Sequence, residues 1–190
     1  MDNKQIEEIG NIHHWDMVAM GWSNPKLSDS HYKMLIIGEV CEAIQAHRRG
    51  FIESRVPLSE VQREIIEQSM ESSGDEIYLN MFENIFKDTT LDEMADTFLR
   101  LLSLAWMRGY KVDELRYTPP ITERSIFTET AMGFVKSLLN APSDREAVVI
   151  GVRYIIKWCE VFHYDLYKAC LRKMRYNRIR HDWQNKEKRY

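Results

Sequence analysis

The chain has 190 residues, of which 44% are hydrophobic and 29% charged, which is an ordinary composition and enough for one domain with a sizeable core. Three cysteines without a C-x-x-C pair argue against a disulfide framework or a zinc site, and they fit a reducing cytoplasm. The N-terminus does not look like a signal peptide, and no apolar run approaches ~20 residues. We therefore expect a soluble, cytoplasmic protein without a membrane segment.

Helical patterns follow one another along the chain and are separated by turn residues. Asn24 and Pro25 mark the first break, Gly50 and Pro57 mark the second, and Gly109 is a helix end. The predicted helices cover about 4–20, 30–49, 59–86 with an interruption at 72–75, 91–108, 123–139, 143–162, and a last segment from about 165. No alternation typical of strands is found, so the sequence predicts a single all-α helical bundle domain over 1–190.

Two pairs of acids stand inside apolar helical segments. Glu39 and Glu42 lie in KMLIIGEVCEAIQAHRRG, and Glu93 and Asp96 lie in LDEMADTFLRLL. Residues three apart share one face of a helix, so each pair concentrates negative charge beside apolar positions. Two antiparallel helices meeting at these faces would bring four carboxylates around one small volume. Such hard oxygen ligands suit Mg²⁺ or Mn²⁺ better than zinc.

A magnesium site also indicates a phosphate-bearing substrate, because Mg²⁺ in proteins usually shares its coordination shell with water and substrate phosphate. Each acid pair taken alone is more commonly two solvated side chains. Asp96 could also form a helical ion pair with Arg100, four residues later. It is the presence of two such pairs on separate helices that favours a metal site.

The C-terminal segment CLRKMRYNRIRHDW is basic and carries a third set of candidate residues. Lys173, Asn177 and Arg180 share one helical face, where they could neutralise and hydrogen-bond a phosphate group. The other arginines, at positions 172, 175 and 178, are expected on the surface. The same pattern would also suit a basic helix that stabilises its own dipole or contacts nucleic acid.

These motifs together resemble the all-α nucleoside triphosphate pyrophosphohydrolases of the MazG-like and dimeric dUTPase superfamily. That family has an E-x-x-E motif followed by E-x-x-D on a later helix. GEVCEAI and DEMADTFLRLLSLAWMRGYKVDE match it here, and KMRYNRIR with the terminal KRY is similar to its late K-x-x-x-N-x-x-R element. The resemblance covers about 33–50, 91–115 and 171–190.

The resemblance implies a reaction and assigns roles. It implies hydrolysis of a nucleoside triphosphate, either a dNTP or a noncanonical NTP, to the monophosphate and pyrophosphate in a homodimeric enzyme. Glu39, Glu42, Glu93 and Asp96 would bind Mg²⁺, with Glu39 or Glu42 accepting a proton from the attacking water. The phosphate chain or the sugar would contact three residues of the basic helix, namely Lys173, Asn177 and Arg180.

The chain departs from the compact members of that family. The long separation of the two acid motifs indicates an inserted helical segment at about 51–89. The segment RLLSLAWMRGYKVDEL, which begins at residue 100, also resembles YIIKWCEVFHYDLYKA, which begins at residue 154. Two amphipathic helices with similar turns would match as well. A true repeat would make the chain pseudo-dimeric, with a metal-binding half at 1–115 and a degenerate second half at 121–190 that supplies the basic helix.

The sequence gives less evidence about the residues that bind the base. Trp15, Trp22 and His31, which precede the first acid pair, could stack on or hydrogen-bond a base, although such residues are more often part of the core.

Two other functions stay open. One is a dUTPase of the dimeric type, which Arg180–His181 disfavours because that family is expected to carry Arg-Gln there. The other is a helical nucleic-acid-binding or interaction protein that uses its basic tail, although nucleic acid is not the partner that we expect.

Overall fold

The structure is a computed structural model that describes residues 1–112 and 117–184, with side chains up to residue 180. Within these ranges the chain forms eight helices and no strand, which confirms the all-α prediction. The helices are α1 (Asn3–Ala19), α2 (Asp29–Arg48), α3 (Glu60–Glu71), α4 (Asp75–Ile85), α5 (Thr90–Arg108), α6 (Phe127–Leu139), α7 (Asp144–Val161) and α8 (Leu166–Gln184).

The helix ends follow from local capping. Thr89 caps the start of α5, because its side chain accepts a hydrogen bond from the Asp92 amide, and Gly109 caps its end with a φ of 67°. The break expected at 72–75 separates α3 from α4. Helix α6 begins at Phe127, later than the predicted 123, because the preceding residues form a turn in which the Ser125 amide donates to the Thr122 carbonyl.

Helix α5 lies at the centre of the bundle. It packs against α1, α2, α7 and α8, while α6 covers α7 and part of α2. Helices α2 and α5 are antiparallel, since Arg108 contacts Asp29 at one end and Arg100 contacts Glu39 further along. No helix in the described part of the chain combines the length and the apolar character needed to cross a bilayer.

The predicted insertion consists of α3 and α4 and packs on α8. A separate apolar cluster joins them, and Phe82 of α4 stacks on Tyr176 of α8 with ring centroids 4.3 Å apart. The cluster comprises Met70, Tyr78, Phe82, Phe86, Tyr176 and Ile179. The insertion therefore supports the helix that carries the basic motif.

Helices α5 and α7 have matching ends, at the offset of the proposed repeat. Ser143 caps α7 as Thr89 caps α5. His163 adopts a φ of 58° where Gly109 adopts 67°, and similar backbone hydrogen bonds follow in both turns. The duplication itself stays a prediction. Its half boundary at residue 115 and the terminal KRY lie outside the described residues.

Candidate metal centre

Three of the four predicted carboxylates meet where α2 crosses α5. Glu39, Glu42 and Glu93 each place one carboxylate oxygen within 4.8 Å of the others. Glu93 is 3% exposed and Glu39 is 9% exposed, whereas Glu42 faces solvent. Three hard oxygen donors at this spacing can surround one divalent cation, so the residues fit the ion that the motifs predict.

The fourth carboxylate, Asp96, lines one cavity together with these three acids. It also forms an ion pair with a lysine of α8. Its Oδ2 lies 2.7 Å from Nζ of Lys173. Glu39 also has a cationic partner, because Nε of Arg100 donates to its Oε1 at 2.5 Å. Both predicted pairs therefore face one volume, with one acid of each pair bound to a basic side chain.

Asp92 is a site residue that the motif analysis missed. It is 5% exposed, and its Oδ2 accepts hydrogen bonds from Lys173 Nζ at 2.8 Å and from the Asp88 amide at 3.1 Å. Asp88, Asp92 and Glu93 form a second group of converging carboxylate oxygens. The spacing could have revealed it, because Asp92 and Asp96 are four residues apart on α5 and therefore share one helical face.

Burial and mutual repulsion raise the pKa values of the central acids. Desolvation, together with the nearby Asp92 and Asp96, raises the pKa of Glu93 to about 9. Burial also raises the pKa of Glu39, with Asp96 adding to the effect. Ionising the whole cluster would therefore be unfavourable without compensation, and a bound cation would supply that compensation.

Lys173 is charged in spite of its burial. It is 6% exposed. Desolvation alone would lower its pKa, but Asp92 and Asp96 outweigh that effect and the pKa is raised. The resemblance predicts a phosphate contact for this residue, whereas the structure places its ammonium between two carboxylates.

The other two basic-motif residues lie on the same cavity as the acids. That cavity has a volume of about 200 Å³ and is lined by Asn177 and Arg180 as well as by the predicted acids. Arg180 Nη2 donates to Asn177 Oδ1 at 3.1 Å, which orients both side chains. Acids from α2 and α5 and polar groups from α8 therefore converge within one chain.

The remaining arginines of α8 mostly serve packing, which corrects the expectation that they lie on the surface. Arg172 forms an ion pair with Glu67 of α3. Arg175 donates to the Met70 and Ser73 carbonyls at the end of α3. Arg178 is half exposed and pairs with Asp16 of α1. These contacts fix α8 between α1 and the insertion.

The predicted base-binding residues separate into two groups. Trp22 and His31 line a narrow second cavity of about 20 Å³, which shares Met17, Trp22 and Arg100 with the first. Trp15 is 67% exposed and lines neither cavity, because it projects from the outer face of α1.

His13 of α1 lines the carboxylate cavity, and burial lowers its pKa to about 4. In the sequence it stands beside His14, and such a pair on a helix is more often a surface or packing feature than a metal site.

Comparisons with known proteins add no relative. No family model, no curated protein and no solved structure matches the chain. Functional conclusions therefore depend on the residues and contacts described above, and the resemblance to the pyrophosphohydrolases stays a prediction.

Proposed function

We propose that the protein hydrolyses a nucleoside triphosphate to the monophosphate and pyrophosphate with the help of Mg²⁺ or Mn²⁺. The observation that carries this proposal is the single cavity in which carboxylates of α2 and α5 face Asn177 and Arg180 of α8. A cation beside the acids and a guanidinium opposite them are complementary to a polyphosphate chain.

Glu39, Glu42 and Glu93 would hold the cation, with Asp96 contributing an oxygen that Lys173 does not occupy. When bound, Mg²⁺ neutralises phosphate charge and lowers the pKa of a coordinated water. Burial of Glu39 and Glu93 supports this arrangement, because acids this close together are stabilised by a cation and destabilised without one.

The chain's own residues would orient the substrate and accept the proton. Arg180 can bind phosphate oxygens through its planar guanidinium, while Asn177 positions it and offers an amide donor. Two carboxylates are candidates for the general base. Glu42 is exposed at the cavity, whereas Glu39 is oriented by Arg100.

One chain supplies both sides of the cavity. A dimer is therefore not needed to complete it, and the homodimer implied by the resemblance is a separate prediction, which light scattering in solution tests. A dUTPase of the dimeric type stays a narrower version of the same reaction. Nucleic-acid binding through the tail is less favoured, because Arg172 and Arg175 are engaged by the insertion.

The test is a panel of canonical and modified nucleoside triphosphates incubated with Mg²⁺, with pyrophosphate and orthophosphate measured separately. We expect pyrophosphate release that EDTA abolishes and that Glu93→Gln reduces by at least about a hundredfold. Glu129→Gln, an exposed acid on α6, is the matched control and should retain full activity. Release of orthophosphate, or no turnover of any substrate, would contradict the proposal.

A further inference from the structure

We infer that the narrow cavity beside the carboxylates receives the edge of a pyrimidine base, with His31 and Ser103 as its hydrogen-bonding groups. This inference rests on the proposed function, since it assigns the part of the nucleotide that the metal and phosphate contacts leave unbound. The cavity lies between the start of α2, the middle of α5 and the connection from α1 to α2.

Two polar atoms are buried in this cavity without a partner. Neither Nε2 of His31 nor Oγ of Ser103 has a hydrogen-bond partner among the described residues. A buried polar atom left unpaired loses its hydration without compensation, so such atoms generally have a partner that is water or a ligand. Two of them on the wall of one cavity indicate that the cavity is built for a polar occupant.

The position of the cavity suits the base of a bound nucleotide. It adjoins the carboxylate cavity and shares three of its residues, namely Met17, Trp22 and Arg100. In a nucleotide, the sugar links the phosphate chain to the base, so a base subsite must lie next to the phosphate subsite. Trp22 lines both cavities, and its indole is an aromatic surface on which a base can stack.

The size of the cavity favours the smaller class of base. Its volume of about 20 Å³ admits little more than one water molecule. A base can therefore enter only if part of the wall moves, and two of the lining residues, Trp22 and Leu27, belong to the non-helical connection between α1 and α2. A single pyrimidine ring requires a smaller displacement than a purine.

The two hydrogen-bonding groups suit more than one pyrimidine. A serine hydroxyl can donate and accept, and a neutral imidazole nitrogen can do either, depending on its tautomer. They can therefore pair with the neighbouring donor and acceptor on the edge of cytosine or with those of uracil and thymine. The cavity therefore suits pyrimidines as a class rather than one particular base.

The experiment measures binding of four nucleoside monophosphates by titration calorimetry, which requires no turnover. We expect deoxycytidine and thymidine monophosphates to bind at least tenfold more tightly than the two purine deoxynucleotides. Ser103→Ala and His31→Phe should each weaken the pyrimidine complexes by about tenfold, in line with a lost buried hydrogen bond. Ser69→Ala, the same change on the exposed face of α3, should bind like the unmodified protein. Quenching of tryptophan fluorescence by the pyrimidine nucleotides should disappear in Trp22→Phe.

The possible outcomes distinguish failure of the base assignment from failure of the proposed reaction. Equal affinity for all four nucleotides, or unchanged binding by Ser103→Ala, would overturn the assignment and leave the cavity as the place of an ordered water. Selective pyrimidine binding without hydrolysis of any triphosphate would contradict the proposed reaction and leave this assignment standing. Hydrolysis of purine and pyrimidine triphosphates with equal kcat/KM would contradict the assignment alone.

Discussion

Lys173 of α8 and Asp92 of α5 form an ion pair that is almost entirely removed from solvent. Nζ lies 2.8 Å from Oδ2, and the two side chains are 7% and 3% exposed. The same ammonium lies 2.7 Å from Asp96. One lysine near the end of the chain thus neutralises two acids of the central helix, and this relationship leads to the first prediction.

Lys173→Met should destabilise the protein strongly. Removing one partner of a buried ion pair leaves an uncompensated charge and costs about 3–5 kcal/mol, or roughly 10 °C in Tm for a chain of this size. Thermal unfolding in EDTA measures the change in Tm. Lys136→Met, on the exposed side of α6, is the control and should change Tm by less than about 2 °C.

A second change separates charge from packing. Adding Asp92→Asn to Lys173→Met removes the charge that the lysine compensated, so it should recover part of the lost stability. If the double variant were less stable than Lys173→Met alone, electrostatic pairing would not be the reason for the loss.

The stability of the metal-free protein should fall as pH rises. The pKa of Glu93 is about 9 in the folded chain and about 4.5 when unfolded. Between these values the folded state keeps a proton that the unfolded state has released, so the free energy of unfolding decreases with pH. Urea denaturation in EDTA between about pH 6 and pH 9 measures this slope.

Glu93→Gln provides the control for this slope. Glutamine does not titrate, so the variant should show a flatter dependence on pH, whereas Glu129→Gln should behave like the unmodified protein. Saturating Mg²⁺ should stabilise the unmodified protein more at high pH than at low pH, because the ion competes with the proton. A slope that stays the same in Glu93→Gln would place its origin in another group.

Arg180→Met should impair substrate binding more than folding. Its guanidinium faces the cavity beside Asn177, and we propose that it contacts the phosphate chain. Loss of a charge-assisted contact of this kind should lower kcat/KM by about ten- to a hundredfold. Arg178→Met removes the half-exposed pair with Asp16 and should leave kcat/KM within about twofold. Equal effects of the two substitutions would argue against the proposed contact.

Phe82→Ala should loosen α8 without touching the acids. Phe82 is 1% exposed and stacks on Tyr176, so truncation should cost about 3–5 kcal/mol. If the variant still folds, we expect weaker nucleotide binding with little change in Mn²⁺ affinity, because Glu39, Glu42 and Glu93 lie on other helices. Calorimetric titration with Mn²⁺ alone and with a nucleotide distinguishes the two effects, and Ile77→Ala, a 58% exposed residue of the same helix, is the control.

Helix-scale features were predictable from local sequence. Periodicity and capping residues located the helices, and the i,i+3 spacing placed Glu39 with Glu42 and Glu93 with Asp96. The partners of these acids were not predictable, because Lys173 and Asp92 are 81 residues apart and only the packing of α8 on α5 brings them together. For the same reason the burial of Ser103 and His31 on one cavity had no sequence signal, since their helices meet only in the folded bundle.

The order of residues along the chain has a consequence for folding during synthesis. The carboxylates of α2 and α5 leave the ribosome long before α8, which carries the counter-charge of Asp92 and Asp96. Until α8 is made, the central acids must stay hydrated or bind a cation from solution, so α2 and α5 cannot pack in their final form. Helix α8 is therefore the element that allows α2 and α5 to reach their native packing.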